Sequence, residues 1–277
     1  MRYLITGSHG FIGSNLAEEL KKTDNVLYLI DLKVGGDVRF FDLPEVDVIF
    51  HLAAKASIPD SFSNPLEAHS HNVTATLRVL EHARKCGARV VLSSSSSVYG
   101  DAETPTGELV QKNPLSPYAA QKLICEEYLR LYWKLGVKSV ALRYFNVFGE
   151  GQERANGGYS LALPIFLEQK KQGLPLTIIG DGEQTRDFVY VGDVVNANLK
   201  AAEWLTKADG FAAFNIGSGK ETTINQLADV VDPKGTRVYL PPRPEPRALQ
   251  ADISSTKKYL KWKPTVTVKQ WIKGLSQ

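Results

Sequence analysis

The hydrophobic and polar positions of residues 1–148 alternate between short apolar runs and longer segments with helical periodicity. This alternation is typical of strands joined by crossover helices, so it predicts an α/β domain with a doubly wound parallel sheet. The predicted strands cover residues 2–6, 26–30, 38–42, 47–52, 89–92 and 139–143, and the predicted helices cover residues 14–22, 65–85 and 117–134.

The pattern is irregular between the third and fourth predicted strands. Only residues 43–46 separate them, and parallel neighbours need a much longer crossover. Either the helix expected there has been lost or the two strands are not adjacent.

Beyond Gly149 the predicted elements become shorter and mixed. Helices are predicted over residues 161–172, 192–205 and 223–231, and strands over residues 174–179, 184–191, 214–217 and 237–240, with two short helices after them. We expect one domain from residues 1–148 with 187–217, and a smaller mixed domain from residues 149–186 with 218–277.

A glycine-rich turn joins the first strand to the first helix. Gly7, Gly10 and Gly13 follow a G-x-x-G-x-x-G spacing, with Phe11 and Ile12 between the last two glycines. Glycines let the backbone approach a pyrophosphate, whose charge the helix N-terminus then stabilises. The turn therefore predicts a dinucleotide site.

Two further strand ends support this prediction. Asp31 ends the second strand, where a carboxylate can accept hydrogen bonds from both ribose hydroxyls of adenosine and would repel a 2′-phosphate. NAD is therefore favoured over NADP, although Lys33 is close in sequence. Leu52, Ala53 and Ala54 end another strand, and small residues there would let a cofactor lie close over the sheet edge.

The candidate for proton transfer is Tyr118, four residues before Lys122 on one predicted helix. Positions i and i+4 share a helix face, so the ammonium can help to lower the pKa of the phenol. Bringing that pKa from about 10 to near 7 takes about 4 kcal/mol of preferential stabilisation of the anion. The pair alone is weak evidence, because most such pairs are an aromatic beside a solvated charge. A serine run at residues 93–97 follows a buried strand, where hydroxyls presented to a site explain it better than a linker does.

Composition narrows the classes of function. The chain has 277 residues, a net charge of +3 and no basic cluster interleaved with aromatics, so a nucleic-acid partner is not expected. Two cysteines and five scattered histidines fit neither a disulfide framework nor a metal site. There is no signal-peptide pattern and no apolar stretch of about 18 residues, so we expect a cytoplasmic protein without a membrane partner.

Together these motifs resemble the extended short-chain dehydrogenase/reductase superfamily, in its branch of NAD-dependent nucleotide-sugar epimerases and dehydratases, and UDP-glucose 4-epimerases most of all. The resemblance spans nearly the whole chain and implies a Rossmann-like NAD-binding domain with a nucleotide-sugar substrate domain. It is carried by TGxxGFIG (6–13), Asp31, HLAA (51–54), SSSSSVYG (93–100), YxxxK (118–122), RYFNV (143–147) and QTRDFxYV (184–191).

The resemblance implies a role for each motif residue. Ser95 would hydrogen-bond the reacting sugar oxygen, Tyr118 would accept the proton, and Lys122 would support Tyr118 and contact the cofactor ribose. The other implied cofactor contacts, besides the glycine turn, Asp31 and residues 52–54, are Asp42, Leu43, Asn72 and Tyr144. The implied substrate contacts are Ser95, Ser96, Asn146 at the pyrophosphate, Arg186 and Arg243 at phosphates or ribose, and Glu245 at the ribose hydroxyls.

Three of these positions need comment. Asn72 either bridges backbone groups beside the cofactor or is an ordinary surface asparagine. The helix missing before Asp47 thins the side of the fold near the adenine, where the resemblance implies cofactor contacts from Asp42 and Leu43. The loop with Arg243 is one residue shorter than the family's Arg-Pro-Gly-Glu, so Glu245 matches the family's glutamate only across a gap of one residue.

The implied activity is 4-epimerisation of a UDP-hexose through a transient 4-keto sugar, with proton transfer to Tyr118 and hydride transfer to NAD. The alternatives are a 4,6-dehydratase and a non-catalytic NAD-binding protein on the same fold. The dehydratases carry an Asp-Glu pair where this chain has Ser96 and Ser97, and the non-catalytic proteins tend to lose the tyrosine or the lysine. Both alternatives are therefore disfavoured.

The resemblance also bears on the sugar and on assembly. Leu249 would limit the room around C2, so UDP-glucose and UDP-galactose are expected, with some tolerance of the N-acetyl forms. A homodimer is expected through the helices at residues 65–85 and 117–134.

Overall fold

The computed structural model describes residues 1–152, 162–243 and 245–275 of the chain. The strands are β1 (Arg2–Thr6), β2 (Val26–Ile30), β3 (Val48–His51), β4 (Arg89–Ser95), β5 (Ser139–Tyr144), β6 (Asn146–Phe148), β7 (Leu176–Ile179), β8 (Thr185–Arg186), β9 (Phe188–Tyr190), β10 (Ala212–Ile216), β11 (Thr222–Thr223) and β12 (Arg237–Leu240). The α-helices are α1 (Phe11–Leu20), α2 (Ile58–Ser63), α3 (Pro65–His69), α4 (Ala75–Cys86), α5 (Pro117–Trp133), α6 (Ala162–Lys171), α7 (Val191–Trp204), α8 (Ile224–Val231), α9 (Ser254–Leu260) and α10 (Val268–Gly274).

The central sheet has the strand order β10-β5-β4-β3-β1-β2, and its neighbouring strands are parallel. The chain starts in β1, moves to β2 at one side and then passes to β3 and onward at the other. This reversal beside β1 is the switch point of a doubly wound fold, where the carboxyl ends of β1 and β3 border a crevice. The prediction of a Rossmann-like parallel sheet is confirmed.

Helices cover both faces of the sheet. Neighbouring residues of a strand point to opposite faces, so they pack against different helices. Ile5 and Phe50 belong to the core shared with α1 and α7. Leu4 and Ile49, one residue away from them, belong to the core shared with α4 and α5. All four are fully buried, and burial of each such side chain stabilises the fold by about 1.5–3 kcal/mol.

The later elements form what we call the C-terminal unit: α6, α8 and α10 packed on the parallel pair β7–β12. Its separate core includes Phe166, Ile178, Leu227 and Ile272. Two short pairs, β6–β9 and β8–β11, lie where this unit joins the central sheet. Helix α6 is predicted to begin at residue 161, which lies outside the described residues.

The strand predicted over residues 38–42 is wrong. Residues 38–40 form a turn and residues 41 and 42 are irregular. Asp37 accepts hydrogen bonds from the backbone N–H and the guanidinium of Arg39 at 3.0 Å. Phe40 is 75% exposed, so the apolar character that suggested a strand is not buried. The whole segment from residue 31 to 47 is therefore the crossover from β2 to β3, so residues 43–46 do not link two parallel strands.

The helix predicted over residues 65–85 is not α-helical throughout. α3 passes into a π-helical turn, Ser70–Thr74, and then into α4, which ends at Gly87 with a φ of 73°. Extra residues of this kind in a helix are frequent at functional sites. The turn contains the buried side chain of Asn72.

The strand predicted over residues 184–191 is divided into β8 and β9 by Asp187. The buried carboxylate of Asp187 accepts hydrogen bonds from the backbone N–H groups of Ser218, Gly219 and Ala251. It thereby fastens two later segments of the chain to the end of the central sheet.

Candidate active site

The glycine turn fits the cradle of a dinucleotide. Gly7 has a φ of +72°, and a Cβ on it would lie 2.6 Å from the backbone nitrogen of Ala53. A Cβ on Gly13 would lie 2.1 Å from the carbonyl oxygen of Gly7. The start of α1 thus packs directly on the ends of β1 and β3, at a distance that side chains would prevent.

The N-terminus of α1 leaves backbone donors for a ligand. Gly10 is the N-cap residue and gives no side-chain hydrogen bond to the first turn, which contains Phe11 and Ile12. Free N–H groups at a helix N-terminus favour an anion such as a pyrophosphate. The residues present therefore fit a dinucleotide, whose redox chemistry is hydride transfer.

Asp31 lies beside this turn at the end of β2. One carboxylate oxygen accepts the backbone N–H of His9 at 2.9 Å, and the other accepts the N–H of Lys33 at 2.8 Å. A carboxylate oxygen has a second lone pair, so both oxygens can still accept a ribose hydroxyl. Asp31 both fixes the glycine turn and presents charge to it.

The other predicted contacts on this side lie on the long crossover and at the end of β3. Asp42 is exposed, and Leu43 packs half-buried against the core under α4. Leu52, Ala53 and Ala54 are half-buried directly after β3, beside the glycine turn.

Asn72 bridges the backbone, so the alternative of a surface asparagine is wrong. Its amide oxygen accepts the N–H of Lys55 at 2.8 Å, and its amide nitrogen donates to the carbonyl of Lys55 at 3.1 Å and to Gln121 at 2.7 Å. The π-helical turn thereby holds the segment that follows Ala54 against α5.

Helix α5 brings Tyr118 and Lys122 together. Tyr118 is 8% exposed and Lys122 is 3% exposed. The Lys122 Nζ lies 5.9 Å from the centre of the Tyr118 ring. Lys122 donates to the carbonyl of Ser93 at 2.7 Å, and burial lowers its pKa while Cys125 and Glu126 oppose that change. The amine of Lys122 is thus fixed beside a phenol at the end of β4.

Ser95 is the last residue of β4, and Tyr144 is its partner in β5. The Ser95 hydroxyl oxygen accepts hydrogen bonds from the backbone N–H and the hydroxyl of Ser97, at 3.2 and 2.9 Å. Ser96 is buried beside it. The Tyr144 hydroxyl donates to Asn198 at 3.0 Å, so it is engaged on α7 and faces away from α5.

On the substrate side, two buried polar atoms lack partners. The amide nitrogen of Asn146 and the amide oxygen of Gln184 have no hydrogen-bond partner in the part of the chain that the structure describes. A buried donor or acceptor left unpaired costs about 1–3 kcal/mol. Both atoms are therefore candidates for ligand contact, and Gln184 had no role in the sequence-based prediction.

Arg186 and Glu245 pair with each other. The Arg186 guanidinium donates to Glu245 at 2.7 Å and to the carbonyl of Pro246 at 3.0 Å. Exposed Arg243 and Glu245 line a cleft of about 160 Å³ together with Ile179 and Gln184. Of the predicted substrate residues, Arg243 and Glu245 thus line this cleft, and Arg186 is tied to it through Glu245.

His51 is a buried neighbour that the sequence-based prediction did not assign a role. Its Nδ1 lies 2.7 Å from the Thr6 hydroxyl, and its Nε2 lies 3.1 Å from the Thr76 hydroxyl, which itself donates to a carbonyl. The proton is therefore on Nε2. Burial and the charge of Lys122 lower the pKa of His51 to about 3, so this neighbour of Lys122 is neutral at pH 7.

The described residues, numbers 1–152, 162–243 and 245–275, contain no group of three or more His, Cys, Asp or Glu side chains able to hold a metal ion. Within the same ranges no helix is long and apolar enough to span a bilayer.

Comparison with known proteins agrees with this geometry. The profile of the NAD dependent epimerase/dehydratase family matches residues 3–217. The chain belongs to this family. Its membership confirms the predicted NAD cofactor and the predicted NAD-dependent isomerase.

Similar members of the family differ in their sugars. A UDP-glucose 4-epimerase of Mycolicibacterium smegmatis is 35% identical over 98% of this chain and 96% of the relative. A UDP-glucuronate 4-epimerase of Thermodesulfobacterium geofontis is 31% identical over 98% of this chain and 94% of the relative. The solved structure of a UDP-N-acetylglucosamine 4-epimerase from Methanobrevibacter ruminantium, in complex with UDP-N-acetylmuramic acid, superposes with a TM-score of 0.91 at 34% identity over 99% of this chain and 98% of that one.

Proposed function

We propose that this family member interconverts UDP-glucose and UDP-galactose by epimerisation at C4. The observation that carries the proposal is the burial of Tyr118 and Lys122 on one face of α5, beside Ser95 at the end of β4. General-base catalysis on a secondary alcohol needs a fixed proton acceptor with a stabilised anion. A phenol beside a buried ammonium meets that need.

In this proposal Tyr118 accepts the proton of the sugar 4-hydroxyl, and Ser95 hydrogen-bonds the same oxygen. Lys122 stabilises the phenolate by its charge. The glycine turn and Asp31 would hold NAD, which would supply hydride transfer at C4. The 4-keto sugar presents its other face before the hydride returns, so the configuration at C4 is inverted.

The unpaired polar atoms support a nucleotide anchor. Asn146 offers a buried N–H donor, suited to a pyrophosphate oxygen, and Gln184 offers a buried acceptor at the cleft that Arg243 lines. Binding through the nucleotide leaves the hexose free to turn, as inversion requires. We therefore assign the nucleotide to this cleft and the hexose to the space between it and Tyr118.

The serine run argues against a 4,6-dehydratase. Elimination of water across C5 and C6 needs an acid and a base near Ser95. The neighbouring positions hold Ser96 and Ser97, which do not titrate, and the Ser97 hydroxyl donates to Ser95.

The choice of hexose rests on Leu249. This half-buried residue is fixed by a hydrogen bond from its N–H to the carbonyl of Thr185 at 3.2 Å. Leucine is intermediate in size, which favours UDP-glucose and UDP-galactose and leaves some room for an N-acetyl group.

The experiment is turnover by purified protein that carries its own NAD, without added cofactor. UDP-glucose is expected to convert to UDP-galactose, followed by chromatography, and the N-acetyl and glucuronate pairs are tested in parallel. Tyr118→Phe is expected to lower kcat by about 10²–10⁴ with little change in KM. Tyr132→Phe removes a hydroxyl at the far end of α5, bonded to Glu81, and is expected to keep activity.

Two results would contradict the proposal. Absence of turnover on every UDP-hexose, with NAD bound, would favour a non-catalytic protein. Release of a 4-keto-6-deoxy product would indicate a dehydratase.

We also propose that the chain forms a homodimer through α4 and α5. Helix α5 carries exposed apolar side chains at Ile124 and Leu131, which supports this assembly.

A further inference from the structure

The buried stripe of α5 does not end at Lys122. Tyr118, Lys122 and Glu126 are spaced at i, i+4 and i+8, so they share one face of the helix. Glu126 is 2% exposed, which is unusual for a carboxylate unless it is paired.

Glu126 joins α5 to two strands of the sheet. One carboxylate oxygen accepts the hydroxyl of Ser94 at 2.5 Å and the Nε–H of Arg143 at 2.9 Å. The other oxygen accepts an Nη2–H of Arg143 at 2.6 Å. Ser94 precedes Ser95 on β4, and Arg143 precedes Tyr144 on β5. The bidentate pair is therefore anchored beside residues at the edge of the active site.

Arg143 extends the connection towards the C-terminal part of the chain. Its Nη1 donates to the Tyr99 hydroxyl at 2.8 Å, and that hydroxyl donates to Asn215 at 2.6 Å. The Asn215 amide donates to the carbonyls of Thr106 and Asp252. Each group in this series of hydrogen bonds is engaged, so the series fixes the relative placement of α5, β4, β5 and β10.

Stability alone does not explain a buried ion pair. Replacing such a pair with apolar residues of similar volume is often neutral or stabilising, and the best-supported use of buried charges is to fix register. A planar guanidinium that binds a carboxylate through two bonds tolerates little displacement. Apolar side chains would let α5 shift along the sheet at small cost.

We propose that Glu126 and Arg143 are positioning residues that fix the register of α5 on β4 and β5, and so the placement of Tyr118 and Lys122 relative to Ser95. This inference rests on the proposed epimerase function. Misplacement of reacting groups by about 1 Å can lower the rate by about 100-fold. The groups assigned to the nucleotide, Asn146 and Arg243, lie on other elements, so the effect belongs in kcat and not in KM.

The decisive variant replaces both charges, Glu126→Leu with Arg143→Met. Either single replacement leaves one buried charge unpaired and is expected to lower the melting temperature, whereas the double replacement is expected to recover most of that loss. Its kcat is still expected to be at least 10-fold below wild type, with KM and bound NAD within about twofold. The pH dependence of kcat is also expected to shift, because the phenol and the ammonium are no longer held in one geometry.

The control is a second ion pair on the same helix. Glu127 and Arg130 are paired at 2.6 Å but half-exposed, so Glu127→Gln with Arg130→Met is expected to leave kcat and its pH dependence unchanged. Ser94→Ala is the milder test if the double variant does not fold. It removes one contact to Glu126 and is expected to lower kcat several-fold at constant KM.

The outcomes separate the two proposals. A wild-type protein without turnover would end the epimerase proposal and this inference with it. An active wild type whose folded double variant, or Ser94→Ala variant, keeps the wild-type kcat and pH dependence would overturn the positioning role alone.

Discussion

At the scale of single residues, burial lowers the pKa values of two neighbouring groups in the site, Lys122 and His51. Lys122 is a buried amine whose pKa is lowered by burial, while Cys125 and Glu126 oppose that change. His51, its neighbour, has both ring nitrogens engaged by threonine hydroxyls and remains neutral because its pKa is lowered to about 3. A second cation at His51 would repel Lys122, so a neutral His51 supports the charge that the proposed phenolate needs.

The His51 environment predicts a stability that depends on pH. The pKa of His51 falls from 6.5 to about 3 on folding, so the unfolded chain binds the proton more readily than the folded one. Stability is therefore present above pH 6.5 and lost as the pH falls towards 3, by up to roughly 5 kcal/mol. We expect the urea midpoint of His51→Gln to be lower than that of wild type at pH 7 but to change less between pH 7 and 4.

Exposed His69 provides the control for this measurement. His69→Gln is expected to follow the wild-type pH dependence. An equal slope for wild type and His51→Gln would show that His51 does not carry the acid sensitivity.

At the scale of elements, the sequence predicted strands and helices well where local pattern decides them. The strand 237–240 has the predicted bounds, and Gly87 ends α4 as predicted. The prediction was wrong for residues 38–42, because an apolar run with Phe40 and Phe41 does not reveal that both rings are exposed. The π-helical turn was missed, and its Asn72 makes a contact with Lys55 that joins segments distant in sequence.

The candidate site follows the same division. Tyr118 and Lys122 could be paired from spacing within one helix, and the glycine turn from spacing within one loop. The Glu126–Arg143 pair and the unpaired amide oxygen of Gln184 could not be predicted, since each depends on which strand ends the fold brings together. A signal for Glu126 existed, because it continues the i, i+4 stripe of α5.

The glycine turn gives the prediction for this scale. A Cβ on Gly13 would lie 2.1 Å from the Gly7 carbonyl oxygen, so Gly13→Ala must push α1 away from β1. We expect the purified variant to carry at least 10-fold less bound NAD, measured by absorbance after release in acid. Gly274→Ala places a Cβ in open space at the end of α10 and is expected to keep the wild-type NAD content. A Gly13→Ala protein with full NAD would show that the turn does not form the cradle.

At the scale of the whole molecule, the site is assembled from both parts of the chain. The central sheet supplies the glycine turn and Ser95, the short pair β6–β9 supplies Asn146, and the segments around β7 and β12 supply the cleft. Asp187 and the Arg186–Glu245 pair hold the two parts together through contacts to later segments. The proposed position of the nucleotide relative to Tyr118 therefore depends on these junctions as well as on α5.

Assembly of two chains is the remaining prediction at this scale. Ile124 and Leu131 are 39% and 45% exposed, and their spacing of two helical turns places them on one side of α5. Since a two-fold interface brings the same surface of both copies together, this apolar face can pair with its own copy. We expect light scattering to give wild type twice the mass of one chain, and Ile124→Glu with Leu131→Glu the mass of a single chain with NAD still bound. Leu174→Glu, at another exposed leucine, is expected to remain dimeric; a wild type of single-chain mass, or a double variant of unchanged mass, would exclude α5 as the interface.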